Sequence, residues 1–164
     1  MSVTPIAFID VDGVLNRVCS NRVAKQRGLF RHHGWSAGMR WGLWLDRADR
    51  GRIERLAEVF EPAWGTTWEH DAHVSLAVPL GLDRFEIVAI TNVDEYSKAP
   101  GVVRAADGRP FVWFDDVHQE IVADQHHLLI PVDPEQGLTD ENIDTAIEWW
   151  AEVSEYYNDD TPPF

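Results

Sequence analysis

Five short apolar runs set the limits on what this chain can fold into. They are residues 5–10, 63–66, 85–90, 111–114 and 128–132. Each is continuous rather than alternating and too short for a buried helix, so each reads as a strand covered on both faces. Strands of that kind belong to parallel sheets, with helices packed above and below. The intervening sequence supplies the helices. Ile53, Leu56, Ala57 and Phe60 follow i, i+3, i+4, i+7 spacing, which predicts a helix over 50–60. A second is expected over 68–80, ending near Pro79 and Gly81. Thr139 caps a last one, with Ile143, Ala146, Ile147 and Trp150 on one face. The expected architecture is α/β: a three-layer Rossmann-like sandwich around a parallel five-stranded sheet, one domain over 1–155. The tail, 156–164, is acidic, contains Pro162 and Pro163, and is expected to fray. At 164 residues, a single domain buries roughly 70% of its unfolded surface.

Residues 17–48 interrupt this pattern. Glycines at 28, 34, 38 and 42 break any helix, and Trp35, Trp41 and Trp44 recur among arginines. The stretch reads as an irregular flap or insertion after the first strand, and long insertions in compact domains usually carry function. Charge singles out the same region. Residues 17–55 hold ten of the fourteen Lys and Arg against Asp46, Asp49 and Glu54, a local +7 in a chain of net −14. The remaining −21 repels nucleic acid, while the basic segment can steer an anion. A solvated basic face is the simpler account. Stacking of bases on tryptophan and pairing of phosphates with arginine make a nucleotide or nucleic-acid end the other.

No apolar run approaches the roughly 20 residues of a membrane span. The first residues lack a basic stretch followed by an apolar core, and Cys19 has no partner for a disulfide. The expectation is a cytoplasmic protein with no membrane partner.

In parallel sheets, sites gather where strands end. The first run ends in Asp10-Val11-Asp12-Gly13, two carboxylates followed by a residue suited to a tight turn. One carboxylate can attack phosphorus while the other handles the leaving-group proton. Facing a phosphate dianion they need a divalent cation. Oxygen-only ligands and the absence of a cysteine cluster favour Mg²⁺, with Asp10, Asp12, Asp115 and Asp116 as candidate ligands. A calcium loop fails on spacing, because counting from Asp10 puts Leu15 where Gly belongs and Asn21 where Glu belongs. A second alternative is that Asp12 merely caps a turn.

Asp115 and Asp116 follow the fourth run, and adjacent carboxylates repel unless something cationic lies beside them. They could instead be helix caps. Thr66 and Thr67 end the second run and precede a helix, suiting either a phosphate cradle or a cap. Lys98 is one of two lysines, solvated by default, and near strand-end aspartates it can neutralise phosphate and nucleophile.

Asp-x-Asp-Gly, then Thr, then Lys, then Asp-Asp, in that order, resembles the haloacid dehalogenase superfamily of phosphohydrolases over roughly residues 5–132. Phe8 to Asn16, Trp64 to Trp68, Arg109 to Asp116 and Gly137-Leu138-Thr139 resemble, more narrowly, a small bacterial and phage subgroup related to domains of RNA-repair proteins. The stretch 17–48 departs from that pattern. The resemblance implies Asp10 as nucleophile forming an aspartyl-phosphate and Asp12 as general acid and base. It further implies Thr66 binding the phosphoryl group, Lys98 orienting it, and Asp115 or Asp116 completing a Mg²⁺ site. Asp rather than Thr at position 12 favours a phosphatase.

The remaining candidates are weaker. His70 and His73, beside Glu69, form a possible zinc pair with no third ligand. His32-His33 and His126-His127 read as loop surface and strand flank. Three functions compete: a Mg²⁺-dependent phosphatase of a small phosphate ester or nucleotide, a nucleic-acid end phosphatase, and a catalytically idle binding module of the same fold.

Overall fold

The computed structural model describes residues 3–82, 85–87 and 97–158. Along the chain, β1 (Ile6–Ile9) leads through a tight loop to α1 (Asn21–Gln26), then to β2 (Phe30–Ser36), β3 (Met39–Leu45) and α2 (Asp49–Ala57). β4 (Glu61–Trp64) precedes a helical run made of α3 (His70–Ala72), a π turn (His73–Ala77) and α4 (Val78–Leu80). A two-residue β5 (Glu86–Ile87), α5 (Ala99–Ala106), β6 (Phe111–Asp115), β7 (His127–Pro131), α6 (Asp140–Val153) and α7 (Glu155–Asn158) complete it.

The chain is α/β. Four strands lie side by side as β4-β1-β6-β7, all parallel, and the two residues of β5 pair in parallel beyond β4. The rest of the expected third strand, 88–90, lies outside the described residues. Alternation along β1 divides the core. Ile6 and Phe8 pack with Phe111, Trp113 and the α5 residues Ala99, Val102 and Ala106. Ala7 and Ile9 pack with Ile53 and Leu56 of α2 and with Ile143 and Ala146 of α6. At β1, α5 therefore packs on one side and α2 and α6 on the other, which accounts for a strand that is apolar throughout rather than alternating. Helix α6 starts as expected at Thr139, whose hydroxyl accepts from the Asn142 N–H in a capping box.

Two expectations are corrected. Residues 17–48 are not irregular: α1 is followed by a regular antiparallel hairpin, registered from Phe30↔Leu45 to Ser36↔Met39. Its glycines serve the ribbon. Ala37 and Gly38 both have positive φ, the geometry of a two-residue turn whose twist matches the strands. Gly34 lets the ribbon press on Ser75 of the π turn. The Ser75 hydroxyl accepts from the Trp35 N–H (2.9 Å) and donates to its carbonyl (3.0 Å). The tail also begins differently, since α7 includes residues 156–158 and the Tyr157 hydroxyl lies 2.9 Å from His126 Nδ1. Residues 159–164 are outside the described set. Sequence periodicity did not reveal α5, because Pro100 and Gly101 look like breakers. Both fall in its first turn, where proline is tolerated.

Arg17 fastens the loops around the strand ends. It is 2% exposed, and all five of its N–H donors are used. Nε donates to the Gln136 carbonyl, Nη1 to the Leu15 carbonyl, and Nη2 to the Leu138 carbonyl. The remaining two grip both carboxylate oxygens of fully buried Asp49, the first residue of α2. Gly137 is required beneath it: its φ is +69°, and a Cβ there would occupy the guanidinium. Removing one partner of such a pair strands a buried charge, at about 3–5 kcal/mol. Arg17→Met should lower the unfolding free energy by that amount in urea titration, and adding Asp49→Leu should restore part of it. A loss under about 1 kcal/mol, the range of an exposed pair, would show that Arg17 does not hold the loops.

Candidate functional site

Strand register builds the site. Ile9 is level with Phe114 and with Trp64, so the next residues, Asp10 and Asp115, end adjacent strands side by side. The pleat then sets direction: Asp10 follows the side of Phe8, and Asp115 that of Trp113, the face covered by α5. Lys98 stands at the start of α5. A cation there opposes the helix dipole; two carboxylates outweigh that. Lys98 Nζ lies 2.8 Å from Asp10 Oδ2 and also contacts Asp115 Oδ2, with the Trp113 ring centroid 5.6 Å away.

Asp116 joins the pair. Asp10, Asp115 and Asp116 each offer a carboxylate oxygen within 4.8 Å of the others, the one such grouping among the described residues. Gly13 makes room for it, because its φ is +74° and a Cβ would run into the Asp116 carboxyl. Asp10 Oδ1 accepts from the Val11 N–H at 2.8 Å, and the Thr66 hydroxyl donates to the same carboxylate. Thr66 is fully buried and also accepts from the Trp68 N–H at 3.3 Å. Thr67 is exposed.

Asp12 is placed differently. It is exposed, and its two oxygens accept from Asn16 Nδ2 (2.8 Å) and Trp68 Nε1 (2.9 Å). Its carboxylate is therefore held by Asn16 and Trp68, and it is not one of the three that lie within 4.8 Å of one another. Asn16 in turn accepts from the Trp44 N–H at 2.9 Å, which ties the base of the hairpin to Asp12. Asn16 and Trp68 had no assigned role from sequence, although both lie in motifs quoted above. Their signal was proximity to Asp12 and Thr66. His70 and His73 are not in a metal-type grouping, and no zinc site forms from them among the described residues.

Burial decides the electrostatics. It pushes Asp10 up to about 6, against the pull of Lys98 and with the push of Asp115. Asp115 and Asp116 are raised as well, burial again first. For Lys98, burial acts downward, but Asp10 and Asp115 outweigh it and the ammonium is held above its usual range. Among the described residues, three acids against one lysine leave an excess of negative charge in a partly dry site. An all-oxygen donor set with that excess fits a hard divalent cation such as Mg²⁺.

No protein-family model matches this chain, and no curated protein matches it significantly. No described helix is long and apolar enough to cross a membrane.

The raised Asp10 makes stability depend on pH. An acid raised by folding binds more protons folded than unfolded between its ordinary value of 3.8 and about 6. Its contribution is whole below that window and is lost as pH rises through it. The two-unit rise corresponds to about 3 kcal/mol. With EDTA present at pH 7.5, Asp10→Asn should unfold at higher urea than the parent, and the difference should vanish near pH 4. A variant less stable than the parent at pH 7.5 would contradict the assigned cost.

Proposed function

We propose that the protein is a Mg²⁺-dependent phosphohydrolase of the haloacid dehalogenase kind, with a Rossmann-like layering of the sheet and helices. It would act through an aspartyl-phosphate on Asp10. The observation that carries this reading is the convergence of Asp10, Asp115 and Lys98 at the ends of adjacent parallel strands, in the order the sequence resemblance anticipates.

Asp10, Asp115 and Asp116 are the residues that would hold the cation. Once bound, it supplies positive charge against the phosphate oxygens, lowering the barrier to bringing a dianion among carboxylates. The residues divide the remaining work. An oxygen of Asp10 attacks phosphorus; the bond from phosphorus to the leaving oxygen breaks, and Asp12 gives that oxygen a proton. Water then attacks the aspartyl-phosphate, Asp12 takes its proton, and the bond from phosphorus to Asp10 breaks. Lys98 holds the nucleophile in place and offsets phosphoryl charge, and the Thr66 hydroxyl donates to a phosphoryl oxygen. Trp68 and Asn16 each donate to one oxygen of Asp12 and so orient its carboxylate for this role.

An idle binding module of the same fold is the weaker reading. Buried like charges cost stability, and nothing in partner binding requires Asp10 to bear that cost.

Hydrolysis of p-nitrophenyl phosphate with Mg²⁺ tests the proposal. Asp10→Asn should lower kcat by about a thousandfold or more, since the covalent route is lost. Asp12→Asn should still form the aspartyl-phosphate but hydrolyse it slowly, seen as a burst without steady turnover. Full activity in Asp10→Asn would end the proposal.

A further inference from the structure

The outer face of the β2–β3 hairpin is unlike the rest of an acidic molecule. Residues paired across an antiparallel ribbon share a face. The register therefore puts Arg31 with Trp44, His33 with Gly42, and Trp35 with Arg40 on one side. The other side carries Leu43 and Leu45, both buried in the core, and Gly34 against Ser75. The first side thus faces away from the body: Arg31, His33, Trp35 and Arg40 are exposed and Trp44 is half-buried.

These six positions include no acid. The Arg31 guanidinium lies over the Trp44 ring, 4.9 Å from its centroid, and fills the space that a side chain at Gly42 would take. Trp35 is 58% exposed, a large indole with no core to enter. His33 registers the local potential: Arg40 first, then desolvation and Arg31, hold its imidazole below the ordinary value. The Arg31–Trp44 and Trp35–Arg40 rungs flank the His33–Gly42 rung, with successive rungs about 7 Å apart, two residues of strand.

We propose that this face docks an unpaired oligonucleotide strand and delivers its phosphorylated end to the Asp10 site. Phosphates pair with Arg31 and Arg40, and bases stack on Trp35 and on the Arg31–Trp44 pair, a mode that needs no sequence preference. A duplex offers stacked bases that Trp35 cannot reach, and an acidic peptide would satisfy the arginines while leaving the indole unused. The −21 outside residues 17–55 repels the strand elsewhere and confines it here. The platform also begins beside the site, because Asn16 links the Trp44 N–H to the Asp12 carboxylate. Naming the strand end as substrate rests on the phosphohydrolase reading; the docking itself does not.

Fluorescence anisotropy of labelled DNA and RNA strands of about 12 nucleotides, in EDTA, measures docking without turnover. Both sugars should bind, with a log–log salt slope of about −1.4 for two phosphates. Trp35→Ala with Arg40→Glu should weaken binding about tenfold or more, and Arg40→Gln alone should reduce the slope by about 0.7. Urea midpoints confirm that the variants fold, and Trp35→Phe should retain most of the affinity. Absence of saturable binding, equal binding of a duplex or of polyglutamate of matched length, or unchanged affinity in both variants would overturn the proposal. Turnover of p-nitrophenyl phosphate reports separately on the carboxylate site, so the two failures are distinguishable.

Discussion

At the end of β1 a carboxylate is buried beside a second carboxylate, with Lys98 as the cation against both. Much of the molecule follows from holding that arrangement. Asp10 and Asp115 are adjacent because two parallel strands are in register, and both face α5 because the pleat has a period of two. Lys98 reaches them because α5 starts there. Its own packing, through Ala99, Val102 and Ala106, fixes that start against the sheet. Burial raises Asp10 and Asp115 and works against Lys98, yet the lysine is held charged by the same two acids. Such a site is unfavourable as a purely structural feature, and its three carboxylates could hold a metal ion.

A second buried charge serves packing alone. Arg17 and Asp49 satisfy each other and three backbone carbonyls, closing the loop after β1 onto the loop before α6 and onto α2. Every guanidinium donor of Arg17 has a partner, so this charge is stably buried, whereas among the described residues the Asp10 cluster has more acid than cation. The contrast separates a clamp from a site. It also explains part of the basic count in 17–55: Arg17 and Arg52 are consumed by Asp46 and Asp49, whereas Arg31 and Arg40 stand on the outer hairpin face.

Much of the sheet was legible because apolar runs without alternation have few other destinations. β1, β4, β6 and β7 begin within two residues of their expected positions. The hairpin was not legible. Its glycines looked like breakers, and their reasons are tertiary: contact with Ser75 at Gly34, room for Arg31 at Gly42. Helix α5 was hidden for the opposite reason, since its breakers fall in the first turn, where they do no harm.

The sequence by itself determined an α/β chain with acids, a threonine and a lysine at or near strand ends, because strand and helix periods are local properties of the chain. It could not decide which of those acids face one another. Asp10 and Asp12 are two apart and would share a side of an extended strand, yet the turn at Gly13 sends Asp12 to Trp68 and Asn16 while Asp10 remains with Lys98. Asp116, distant in sequence, fills the space that Gly13 leaves open. Only tertiary structure decides this, because the composition of the cluster depends on register and loop closure between segments a hundred residues apart.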